Sequence, residues 1–181
     1  SAIARTNYLS PSQKSLIISG IRDSKSLNTE IVVMDPVYMA VDFGAYKSDI
    51  ESLDTKHSAE SKLQVVRTAT STRSVVSIQN AVYTIFASYF KQAKLGQTIN
   101  VTEMVNHILS LDGVQKLYTA RNDIDFRLDG LNLFIWNPIY PEQDITSTGS
   151  NIILPYYKFP YINNLTEFLN KIEVVSEVVT T

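Results

Sequence analysis

Two histidines, His57 and His107, and no cysteine make up this chain's stock of soft metal ligands and of the groups that activate a nucleophile. Zinc sites and His-dependent catalysis need such groups clustered at set spacings. His107 stands beside Asn106 and Glu103 with no HExxH or HxH pattern, so it reads as a structural or solvent-facing residue. His57 sits in a polar stretch and reads as solvated. Asp123, Asp125 and Asp129 with Gly130, in NDIDFRLDG, offer oxygen ligands. An EF-hand loop needs closer acids, a glycine at its sixth position and a closing glutamate, so this run reads as a solvated turn. Paired carboxylates for glycoside hydrolysis must face each other across about 5–10 Å. The acids here are scattered; Glu103 fits a helix cap, and Asp42 alternates to the polar side of a strand. Lys62, Arg67 and Arg73 gather in a Ser/Thr-rich stretch that could touch phosphate, but without interleaved aromatics they read as a solvated loop. GxSxG, GxxxxGK[ST] and GxGxxG are all missing from the sequence. The reading therefore expects no catalytic residue, no metal and no cofactor.

The remaining signal is aromatic. Trp136, Tyr140, Tyr156, Tyr157, Phe159 and Tyr161 crowd a segment broken by Pro138, Pro141, Pro155 and Pro160. Tyrosine and tryptophan supply large contact area with few rotors to freeze, which suits them to protein interfaces. They either cover the domain's own core or form an interface. The prolines, which keep the segment extended, favour the interface.

These residues must be held by a framework, and the composition permits one. The 181 residues are 44% hydrophobic and 19% charged with a net charge of −2, as expected of one globular domain with no general attraction to nucleic acid or anionic membrane. No apolar run approaches the roughly 20 residues that span a bilayer, so a soluble domain is expected. The opening SAIARTNYLSPSQKS has neither an initiator methionine nor a secretory pattern and suggests a piece of a longer product.

Residues 1–28 read as a leader from a preceding domain, with Ser10-Pro11 as a turn and Leu16 to Ile18 as a short strand. Residues 29–137 read as the core domain. In it, Val37, Met39, Val41, Phe43 and Ala45 alternate on one face of a strand, with a shorter approach strand before Asp35-Pro36. Residues 47–73 form a polar excursion, with a strand near Leu63 to Thr68. Val75, Ile78, Val82, Ile85, Phe86 and Tyr89 predict a helix capped by Ser74 and stopped at Gly96. Asn100 and Glu103 open a second helix over Val101 to Leu111 that ends at Asp112-Gly113. Val114 to Arg121 and Leu131 to Trp136 predict two strands, paired as a hairpin or meander under the helices. Residues 138–181 read as an extended aromatic tail with a short helix from Asn164 to Val175. The expected fold is α+β, a small mixed or antiparallel sheet packed against two amphipathic helices, with an extended Pro/Tyr-rich C-terminal segment.

Taken in order, VYMAVDFGAY, the helix NAVYTIFASYF, LGQTI, the helix VTEMVNHILSLDGV and the strand QKLYTAR resemble the C-terminal part of baseplate J-like proteins of contractile phage tails. Leu95-Gly96 and Gly113-Val114 are the most specific points of the likeness, which covers a little under half of the chain. The long polar insertion and Tyr-rich tail look most like the wedge members that build the inner baseplate ring of T4-like phages. The resemblance implies a structural, non-enzymatic virion protein, assembled in the host cytoplasm. It would associate with itself, by dimer or ring contacts, and with other baseplate wedge proteins, without nucleic acid or membrane. The alternative is a carbohydrate- or receptor-binding module, since aromatics with Asn and Asp also make sugar platforms. A carboxylate-based enzyme comes third.

Overall fold

The computed structural model describes residues 9–22, 30–45, 60–139 and 146–176, so His57 and Tyr140 lie outside the described residues. The fold is α+β, and two of its helices begin where the sequence places them. Helix α2, Val75–Lys91, starts at Ser74, whose hydroxyl accepts the Ser77 amide at 3.1 Å, and buries Ile78, Val82 and Phe86. Helix α3, Val101–Leu109, starts at Asn100, whose side chain accepts the Glu103 amide at 3.0 Å, and buries Val101, Met104 and Ile108. Neither glycine expected to stop a helix does so. Gly96 and Gly113 lie beyond the helix ends, in left-handed turns with φ of 67° and 88°. At Gly96 a side chain would also collide with backbone, because a Cβ there would sit 2.8 Å from the Tyr156 Cα.

Two four-stranded sheets share the core. In the first, β1 (Val37–Phe43) pairs antiparallel with β5 (Leu133–Trp136), which pairs antiparallel with β6 (Thr146–Thr148). In the second, β3 (Val114–Arg121) lies between β4 (Arg127–Asp129) and β2 (Ser61–Arg67), antiparallel to both. The expected pairing of β3 with β5 is therefore incorrect: Gly130, at φ 75°, turns the chain out of the β3–β4 hairpin and delivers it to the other sheet.

The described residues after Pro138, expected to form an extended tail with a short helix, are woven into the body as strands, turns and a helix. Strand β7, Lys158–Tyr161, adds parallel to β1, and β8, Ile172–Ser176, adds parallel to β2. Pro160 is tolerated because β7 is an edge strand. Between them helix α4, Leu165–Asn170, is shorter than expected: Ile172 continues the helical spacing but opens β8. Phe168 of α4 stacks on Phe43 at 4.2 Å and meets Phe86 edge-on at 5.3 Å, so an aromatic cluster ties strap, sheet and helix together.

Helix α1, Pro11–Ile21, replaces the expected leader strand. Ser10 and Gln13 form a reciprocal capping box and Pro11 occupies the first turn, so the apolar run coils instead of extending. The segment 31–34, expected to be an approach strand, is irregular. No residue of α1 is buried. The helix is held through Asp35, which pairs with Lys14 at 2.7 Å and accepts the Leu9 amide at 3.0 Å. The hydrogen bond from Lys14 is the main influence holding the Asp35 carboxyl below its ordinary value, with smaller help from the Leu9 amide and against partial desolvation. Because the folded value is the lower one, this anchorage is complete above the ordinary carboxylate range and is lost as pH falls through the depressed value. The Leu9 amide resonance should therefore titrate in acid at a pH below that of a free aspartate. Asp35→Asn should abolish the titration; its persistence in that variant would show that another group holds α1.

Candidate functional site

The residues with chemical potential do not converge among those described. His107 is exposed on α3. Asp123 is committed to Arg121, receiving Nε at 2.8 Å and Nη2 at 2.7 Å, while Asp129 faces Lys116 at 3.9 Å. No group of three metal-ligating side chains occurs among the described residues. The three basic residues are likewise engaged within the fold. Lys62 pairs with Glu173 at 2.7 Å, Arg67 donates to the Ser71 carbonyl, and Arg73 donates to Ser77 and the Asp112 carbonyl. Asp42 pairs with Lys171 at 2.7 Å.

The aromatic residues, by contrast, are brought together. Register puts Trp136 and Tyr161 on either side of Ala40, with Phe159 beside Tyr38 and Phe134 beside Asp42. Trp136, Phe159 and Tyr161 therefore share one face of the first sheet, the face turned away from Met39, Val41 and Phe43. Tyr38 and Phe134 complete the set, and the sequence reading overlooked both. Their signal was available, since each alternates against core residues in its own strand. Tyr38 meets Phe159 and Tyr161 edge-on at 5.8 and 5.9 Å, and Phe134 lies 5.9 Å from Trp136 at 53°. Ala40 is fully buried between these flanking rings.

Tyr156 and Tyr157 belong to a second patch, in the turn that precedes β7. They stand perpendicular to each other at 5.4 Å, and Tyr156 is 82% exposed. The Gly96 amide donates to the Lys158 carbonyl at 2.9 Å, which seats the α2–α3 loop against this turn and sets exposed Leu95 on the same rim. Ile153, also 82% exposed, lies three residues before Tyr156. Gln92, Lys94, Gln97 and Glu103 surround an open depression beside Leu95, lined also by Tyr89. Exposed apolar side chains here stand beside a polar margin.

A smaller cleft opens where α4 meets the sheet. Trp136, Asn163, Glu167 and the Asp42–Lys171 pair are among the residues that line it, around a volume of about 170 Å³. Its residues come from three separated stretches of chain. No helix among the described residues is long and apolar enough to cross a membrane. The sequence matches no protein-family model and no curated protein.

Proposed function

We propose that this chain is a structural subunit of a contractile phage-tail baseplate, a wedge component of the virion that associates with itself and with neighbouring wedge proteins in the inner ring. The observation that carries the reading is the exposed rim of Leu95, Ile153, Tyr156 and Tyr157, large apolar side chains set on two loops that hydrogen-bond each other. Exposed aromatics on a braced backbone act as anchors because little conformational entropy remains to be lost on docking. The likeness in the order of strand, helix, LG turn, second helix, GV turn and strand supports the identity of the assembly, and both glycines occupy left-handed turns that only that residue adopts easily.

Sedimentation equilibrium tests the self-association. The chain should form a dimer or larger species, and Tyr156→Ala should weaken it by roughly 30-fold, the effect of losing about 2 kcal/mol at an anchor. A strict monomer at high concentration, or an unaffected variant, counts against the rim as the contact. A sugar- or receptor-binding module is the second reading, favoured by the Trp136 wall beside Asn163. Against it, ring pairs on the same face stand at 53° to 88°, whereas a sugar platform needs rings that lie flat together. A glycan array without hits would remove that reading.

A further inference from the structure

The cleft at the junction of β1, β5 and α4 has a size and charge that select one kind of occupant. About 170 Å³ is well below the roughly 300–1,000 Å³ of a pocket for a whole small-molecule ligand, and is room for about six waters, or one long side chain. Its charges do not cancel. Asp42 is matched by Lys171 at 2.7 Å, which leaves the Glu167 carboxylate as the unbalanced charge of the lining. Glu167 has its backbone amide bound by Asn164, but its side chain projects from an exposed position. Trp136 and Asn163 line the same cleft, adding an indole and an amide. A net negative pocket lined by an indole and a carboxylate matches a guanidinium, which is planar, stacks on aromatic faces and donates paired N–H groups to a carboxylate. A lysine ammonium would satisfy the charge but not the paired donation, and an anion would meet Glu167 with repulsion.

We infer that this cleft is an anchor pocket for an arginine side chain presented by a partner protein, stacked on Trp136 and paired with Glu167. The inference rests on the assembly reading only in making the partner a protein. The pocket is separate from the Leu95–Tyr156 rim, so the two surfaces can fail independently.

Trp136 is the single tryptophan of the chain, so its fluorescence reports on one residue of this cleft and its surroundings. Titration of the full chain with N-acetyl-arginine-amide should change the emission saturably, with a Kd on the order of millimolar for a ligand of that size. N-acetyl-citrulline-amide, the same shape without charge, should bind at least about tenfold more weakly. Glu167→Gln should weaken the arginine probe by about tenfold, as expected for a charged hydrogen bond at a half-open site. The Asn163 side-chain amide resonances should move in the same titration, which gives a readout independent of the variant's fold. An equal response to citrulline, an unchanged affinity in Glu167→Gln, no response at all, or a saturable response to hexoses in place of arginine would each overturn the assignment, the last in favour of a sugar site. Sedimentation of the free chain reads the rim, so a monomer that still binds the arginine probe would remove the self-association and leave the pocket.

Discussion

Phe168→Ala should destabilise the protein by about 3–5 kcal/mol, a large share of the 5–15 kcal/mol that holds a domain of ordinary stability. The ring is 2% exposed and stacks on Phe43 at 4.2 Å, with Phe86 and Phe90 edge-on at 5.3 and 6.4 Å. Truncation removes the transfer free energy of a buried phenyl group and leaves a void that three other aromatics cannot all collapse to fill. Urea unfolding should show the midpoint falling by on the order of 2 M with an unchanged slope. Phe168→Leu keeps much of the volume and should cost less than half as much. A loss below about 1 kcal/mol for the alanine variant would mean that α4 is not part of the cooperative core.

The second large effect is expected at Asp123, an acid on a turn that looks dispensable in the sequence. Arg121 ends β3 inside the protein with its side chain only 3% exposed; two of its nitrogens bond Asp123, and Nη1 reaches the Ala45 carbonyl at 3.3 Å. The Ala45 amide in turn donates to the Ser61 hydroxyl at 2.9 Å. This polar seam joins the end of β1 to both β2 and β3, and thus one sheet to the other. Asp123→Ala removes the carboxylate that two nitrogens of this buried guanidinium bond, which should cost about 3 kcal/mol, the lower end for such pairs because Asp123 itself meets solvent. Removing both charges in Arg121→Met with Asp123→Ala should recover part of that loss, and a double-mutant cycle measures how much. If the double variant is no more stable than Asp123→Ala alone, the seam is held by packing instead of charge.

How far these features could be read in advance depends on how local they are. Helices α2 and α3 declare themselves because cap, periodicity and amphipathic face all lie within one stretch of chain. Strand β3 is recovered end to end for the same reason. Helix α1 was legible too, since Ser10-x-x-Gln13 is a capping box, but the Leu16 to Ile18 run also fits a short strand. Partition into two sheets was not legible: nothing local to β3 or β5 names its partner strand, and the turn at Gly130 sends them apart. Ile172 shows the limit of periodicity, as it keeps step with Leu165, Phe168 and Leu169 yet begins a strand. Of the aromatic residues, Trp136, Phe159 and Tyr161 were identified by composition, while Tyr38 joins them only through parallel pairing across the sheet. The cleft needs Asp42 and Lys171, 129 residues apart, and no local pattern joins them.

The strap from β7 through α4 to β8 also sets a timetable. Gln64 and Glu173 meet across 109 residues, and both sheets receive their parallel edge strand from the same C-terminal stretch. Loops of that length must close before any of the pairing they enable is rewarded, which slows folding. During synthesis the β1 and β2 edges stand open until the ribosome has released the residues after 158, so both sheets wait for one event. Premature termination would expose two strand edges at once and produce a chain prone to wrong pairing. That delay is the interval in which correct and incorrect strand pairing compete for the same open edges.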